Sequence, residues 1–485
     1  MLSCVPSAVL SGVTARRAVI ECDVRRGLPA FVIAGLGDLA VREARERVRA
    51  ATLNSGFEFP LARVTVSVAP LDVRKTGASF DVAIALAVLV ASGQVAPELV
   101  DGVAPLAELT LGGQLRPTRG TLPLAEALIA SGVTTIAVPH AAAGDAAIAA
   151  PSRLIVADSL RQLVDALAQP PALQIPPAPY ADSLGAGEDG ADLADVRGLA
   201  VAIRAMTIAA AGGHGLLFVG PPGCGAHMLA RRLPGLLPPL TWGQAVDVAR
   251  IHSAAGLRDA TRPIVSLQRP FRAPHHTISP SGMVGGGVGP TPGEATLAHL
   301  GVLALLDVTE FHRGSLESLR VSVRSGSVPI VRGQRTTVFP ARCQLVASAS
   351  LRDGDERDQL IQRRRINHAR DFFDLVVALT PPDVAADPRH DDGRGARPGH
   401  RRAGAAGQRP APCRGPHHAC RADHRCARRL RRRRRRPRRR GGRAHRLSGR
   451  RVVVTAAGPA SWAVATVLGP CRSPCRFPST LMVVA

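Results

Sequence analysis

Along the first 170 residues, short apolar runs alternate with longer stretches that mix apolar and charged positions. AFVIA at 30–34 and VTVSV at 64–68 have the period-two, β-branched character of strands. Residues 41–55 repeat apolar positions at helical spacing among arginines and glutamates, which predicts an amphipathic helix. Residues 80–91 are apolar all round and predict a buried one, and 125–131 predict a further helix. GGQLRP at 112–117 reads as a turn and 135–139 as a strand. This alternation predicts a compact α/β domain over 1–170.

Residues 171–194 are rich in Pro, Ala and Gly and read as a linker. A second α/β unit is expected over 195–384. It has a helix at 200–211, a strand at 215–219, a glycine-rich turn and a helix at 228–233. Strands are expected at 301–306 and 344–347. From about residue 385 the periodicity stops, and Arg, Gly, Pro, His and Cys dominate. Such a segment cannot bury a core, so 385–485 is expected to be a disordered basic tail or an out-of-frame translation. Dense Arg, Pro and Gly is what shifted GC-rich codons would give.

Charge changes the picture less than its total suggests. The chain carries a formal +25, but 26 Arg against 4 Asp in 385–485 account for +22 of it. The body is nearly neutral, and a nucleic-acid reading rests on the tail alone. Lys75 is the only lysine in the chain. Cys4, Cys22, Cys224 and Cys343 have no disulfide or zinc spacing. The spacing of Cys413, Cys420 and Cys426 with His417, His418 and His424 matches no metal site either. The N-terminus lacks the charge-first layout of a signal peptide, so the body is expected to be cytoplasmic. An apolar stretch at 452–469 is long enough for a membrane span, but Pro459 and its glycines weaken it, and no membrane partner is expected.

The sharpest motif is Gly220, Pro221, Pro222, Gly223, Cys224, Gly225, Ala226 and His227, after an apolar strand and before a helix. A working phosphate loop reads G-x-x-x-x-G-K-[ST]. Its amides cradle phosphate, its lysine reaches the β- and γ-phosphates, and its hydroxyl holds magnesium. Here both glycines stand at the right spacing, but Ala226 replaces the lysine and His227 the hydroxyl. Taken alone, a GPPG turn is as consistent with a plain strand–helix connection as with a phosphate site.

Longer strings surround it: DVRG at 195–198, AAAGGH at 209–214, MLARRLPG at 228–235, LPPLT at 237–241, RPFRAPHHT at 269–277, PGE at 292–294, LAH at 297–299 and FPAR at 339–342. GASFD at 77–81 and IAL at 84–86 belong with them. In this order they resemble the magnesium-chelatase-like AAA+ proteins of the ComM/YifB type, over roughly residues 1–380. The resemblance implies a Lon-protease-like domain of the ribosomal S5 type, followed by an AAA+ P-loop domain. It also implies ATP and Mg²⁺ as cofactors, assembly as a homo- or hetero-oligomeric ring (a hexamer), and DNA as a partner through helicase or branch-migration activity. It does not imply tetrapyrrole chemistry.

The chain departs from that pattern where the chemistry lies. Aligned on Gly301 and Glu310, the magnesium carboxylate position is Leu306 and the catalytic glutamate position is Asp307. A slip of one residue makes Asp307 the magnesium ligand and Val308 the glutamate; either register loses one acid. Sensor 1 falls on Ser350, and the arginine-finger position on Phe372, with Arg370 nearby. Ser79 stands where Lon-type proteases carry a nucleophile, but no downstream lysine partners it, which favours a structural role. His275 and His276 are expected to point apart, and Arg272 to serve nucleic acid, a neighbouring subunit or a buried ion pair. The expectation is a degenerate ATPase with nucleotide bound weakly or not at all and Mg²⁺ in doubt. The alternatives are a non-catalytic DNA-binding or assembly subunit, and a pseudogene product.

Overall fold

The computed structural model describes residues 1–34, 38–69, 79–149, 152–169, 180–182, 192–261, 264–287, 289–332, 335–351, 356–370, 372–380, 452–454, 464–465 and 481–482. The expected linker lies mostly outside these residues, as do Lys75 and most of 385–485.

The first half opens with a hairpin the apolar N-terminus did not announce. Leu2–Ser11 and Thr14–Arg25 pair antiparallel through a turn at Gly12, whose φ of +68° favours glycine. Arg63–Ala69 pairs antiparallel to the second of these and parallel to Ala30–Ala34, giving a four-stranded sheet. In Arg63–Ala69 the valines at 64, 66 and 68 are all buried, as the alternation requires. Helix Asp81–Ala91 lies across the sheet with every residue buried, which its unbroken apolar sequence demands. Its one charge, Asp81, meets Arg47 Nε at 2.6 Å. A parallel three-stranded sheet follows, Val103–Pro105, Thr135–Val138 and Arg153–Val156, with helix Thr121–Ala130 against it.

The second half is built on a six-stranded parallel sheet. Its order is Phe271–Arg272, Val302–Leu305, Gln344–Ser350, Leu216–Gly220, Leu375–Ala378 and Val452–Val454. Phe218, Val346 and Val377, nearly devoid of polar atoms, pack under helices Ala200–Gly212 and Ala226–Leu236 on one face. On the other, Leu217, Leu303 and Leu345 meet helix Arg313–Ser325 and hairpin Ser327–Arg332/Arg335–Pro340. Two short strands lie within the segments expected as linker and tail. Tyr180–Asp182, inside the expected linker, pairs in parallel with Ile264–Ser266. Val452–Val454, inside the expected tail, extends the main sheet as an edge strand, since three valines suit that position better than the arginines around them. The 452–469 stretch is not a helix where it is described, and no helix among the described residues is long and apolar enough to cross a membrane.

The halves share a seam. Helix Thr121–Ala130 packs on helix Trp242–Ala255 through Leu122, Ala245, Val248 and Ala249. Arg250 reaches Glu126 with two bonds of 2.7 and 3.0 Å. Deeper in, Asp145 accepts from Arg258 Nε at 2.6 Å and from Ser253 Oγ at 2.5 Å.

Candidate functional site

Strand Leu216–Gly220, in the interior of the sheet, delivers the chain to the carboxyl ends of the strands, and helix Ala226–Leu236 carries it away. The turn between them needs two left-handed residues, and glycine supplies both: Gly223 at φ +81° and Gly225 at φ +89°. Gly220 has a different reason. A Cβ there would lie 2.7 Å from the Leu379 carbonyl oxygen and 3.0 Å from Cys224 Sγ. Its own carbonyl accepts from Leu351 N at 2.7 Å, tying the loop to the chain leaving the adjacent strand. Cys224 is buried under the loop, and its amide donates to Pro221 O at 3.3 Å. The N-terminal amides of an eleven-residue helix therefore face an open cavity of about 410 Å³. It is lined by residues 220–228, Asp307 and residues 348–350.

The motif residues Gly220, Pro221, Pro222, Gly223, Cys224, Gly225, Ala226 and His227, with Asp307 and Ser350 from the later strands, all line this cavity. Ala226 is the first helical residue and offers only a methyl group where a lysine would supply a cation. His227 is half exposed, and its Nε2 lies 3.5 Å from Asp307 Oδ2. Asp307 follows strand Val302–Leu305 with φ +55° and ψ +58°, a conformation that costs a non-glycine residue on the order of 1 kcal/mol. Three contacts hold it there. Ser350 Oγ donates to Oδ1 at 2.5 Å, the Asp307 amide donates to Ser348 Oγ at 2.8 Å, and His227 faces Oδ2. Leu306, at the other candidate acid position, packs against the apolar cluster around Phe218 and Leu229. A single carboxylate thus enters the cavity at this strand end.

Ser348 was missed in the sequence, where it read as one more small residue of an apolar strand. The even spacing of Ser348 and Ser350 was its only signal. Phe372 does not reach the cavity; its ring sits 5.5 Å from the Arg320 guanidinium and 6.0 Å from the His368 ring. Arg370 bonds Asn367 at 3.4 Å. Arg272 forms a two-pronged pair with Glu294, at 2.7 and 2.8 Å, an ion pair that is only partly buried. His275 and His276 do not point apart as expected. Their ring centres lie 4.0 Å apart with the planes tilted by 36°, and His275 Nδ1 lies 2.8 Å from Thr277 Oγ1. Among the described residues, no group of three or more His, Cys, Asp or Glu side chains could hold a metal. Ser79 is described, but Lys75 is not.

A parallel α/β sheet with a glycine loop at one strand–helix turn, and an acid and a serine on the next two strands, defines an AAA+-like P-loop module. Residues 192–367 match the family model described as magnesium chelatase, subunit ChlI, and residues 20–142 match that of subunit ChlI of Mg-chelatase. The chain is 39% identical over 347 residues to the YifB protein of Salmonella typhimurium, covering 72% of this chain and 67% of that one. It is 40% identical over 349 residues to the competence protein ComM of Haemophilus influenzae, covering 72% and 68%. It belongs to the magnesium-chelatase-like family of the ComM/YifB type.

Proposed function

We propose that this chain is a nucleotide-binding member of its family with little ATP hydrolysis. Residues 1–170 act as a Lon-like domain, 195–384 as the AAA+ module and 385–485 as a basic C-terminal segment. The observation that carries the reading is the composition of the cavity: a complete glycine-loop backbone with Ala226 and His227 at its tip. The helix amides supply phosphate affinity. Losing the lysine removes a charge-assisted contact of ~1.5–3 kcal/mol, roughly tenfold to a hundredfold in affinity. Hydrolysis suffers more, since a missing arginine finger alone costs about 10³–10⁵ in rate where one is used.

The residues present do not fit a magnesium–nucleotide complex of the usual kind. Mg²⁺ takes oxygen ligands in near-octahedral order, and the position that would offer a hydroxyl offers imidazole. Asp307 then orients a water by accepting its proton at Oδ2, with Ser350 fixing the carboxylate plane. Titrating the full chain with a fluorescent ATP analogue tests this reading. Binding that is weak and nearly independent of Mg²⁺ supports it, and no binding at all removes the nucleotide from the account.

A second reading, favoured by the +22 charge of 385–485, is a non-catalytic subunit that joins a ring of intact relatives or holds DNA through the tail. The family member named for competence makes DNA a sensible ligand to try. DNA binding that weakens steeply with salt and disappears without the tail would favour it.

A further inference from the structure

The imidazole of His227 borders the cavity with room to turn. Its Nε2 lies 3.5 Å from Asp307 Oδ2, beyond the ~2.7–3.2 Å of a good N–H···O bond, so the ring faces the acid without being committed to it. Ser350 Oγ donates to Oδ1 at 2.5 Å and leaves Oδ2 to the ring. Ser348 gives the cavity a donor to spare. It is only 2% exposed, its oxygen accepts the Asp307 amide at 2.8 Å, and its own proton has no acceptor among the described residues.

The charge of Asp307 repels a phosphate in the same cavity unless a cation stands between them. A neutral imidazole has one N–H and one lone pair, so when it bonds Asp307 it turns the lone pair on the phosphate. An imidazolium donates from both nitrogens and bridges the two anions. Among the residues lining the cavity, the titratable side chains are His227, Asp307 and the buried Cys224. Strands Leu216–Gly220, Val302–Leu305 and Gln344–Ser350, under helix Ala226–Leu236, carry no charge. Helix Ala200–Gly212 carries only Arg204, which is exposed. On the helix of His227 itself Arg231 and Arg232 follow, the second bonded to the Asp192 carbonyl at 2.7 Å. We propose that His227 is the phosphate contact of this cavity and takes a proton from solvent when a metal-free polyphosphate binds. An imidazolium then serves where a working phosphate loop uses lysine and magnesium. The inference deepens the nucleotide reading above and rests on it for the identity of the phosphate chain.

The test is calorimetric titration of the full chain in EDTA with inorganic pyrophosphate and with ATP. It is run at pH 7 and pH 8 in buffers of different ionisation heat, beside His227→Gln and His227→Arg. Imidazoles change charge between about pH 5 and 8, so at pH 8 the proton comes from solvent. The dependence of the heat on the buffer counts protons taken up. Subtracting the glutamine variant removes those on the ligand and any binding to the arginines of 385–485, which all three proteins share. The expected result is about one more proton taken up by wild type than by either variant, with wild-type affinity falling about tenfold more than that of His227→Gln from pH 7 to pH 8. His227→Arg, a fixed cation, is expected to bind at pH 8 without the extra proton. His227 is half exposed, so neither substitution disturbs the core. Equal proton uptake and equal pH dependence in wild type and His227→Gln overturn the proposal. ATP bound without His227-dependent uptake keeps the nucleotide and removes this role of His227. Uptake with pyrophosphate and no binding of ATP does the reverse, and no binding of either removes both.

Discussion

The seam between the two halves and the cavity above the glycine loop treat charge in opposite ways. At the seam Asp145, almost fully buried, is matched by Arg258 and Ser253, and Glu126 by Arg250. In the cavity the loop backbone is intact, but Ala226 offers only a methyl group, His227 an imidazole and Asp307 a single carboxylate. The contrast separates what the fold requires from what the reaction requires. A buried carboxylate without its partner destabilises the protein wherever it stands, while a missing cation in an open cavity costs only ligand affinity.

That contrast breaks first at Asp145. Replacing it by Ala strands Arg258 in a largely buried site and leaves Ser253 without its acceptor. Denaturant unfolding is expected to show a loss of ~3–5 kcal/mol. A change under ~1 kcal/mol would mean the seam is no better kept than the cavity.

The converse substitution, Ala226→Lys, acts on affinity and not on stability. Affinity for a fluorescent ATP analogue should rise tenfold to a hundredfold, ~1.5–3 kcal/mol, with the unfolding midpoint unchanged in the absence of ligand. An unchanged affinity would show that the loop amides do not hold phosphate.

The effect confined to one pH window concerns the buried Asp81, whose carboxyl is pushed up to about 6 by burial, against the opposing pull of Arg47. Because the folded protein keeps this proton more tightly than the unfolded chain, the contribution is present below pH 4 and is lost as pH rises through about 6. The difference in unfolding free energy between wild type and Asp81→Asn should shift by up to ~3 kcal/mol across that window. A flat difference would mean that the Arg47 pair outweighs burial.

Much of the loop was legible in the sequence because its requirements are local. Gly223 and Gly225 need left-handed backbone, and the strand before and helix after them are set by nearest neighbours. The acid position was not settled that way. Leu306 and Asp307 are adjacent, and only the sheet decides which one turns into the core and which into the cavity. Contacts between distant segments were illegible for a similar reason: Arg258 and Asp145 lie 113 residues apart, and each reads alone as an ordinary surface charge. The N-terminal hairpin was missed because its apolar residues pair across a tight glycine turn, not along a helix. The parallel edge strand Val452–Val454 was hidden by the arginines around it.

The account turns on a cavity that keeps the shape of a nucleotide site without its catalytic charges. Phosphate release from ATP by the full chain, at nucleotide concentrations that saturate the fluorescent-analogue binding curve, tests this most directly. Saturable binding with no release above the uncatalysed background is the predicted result. Steady multiple turnover that Asp307→Asn abolishes would contradict it, and would show that one carboxylate, with His227 and Ser350 beside it, is enough for hydrolysis.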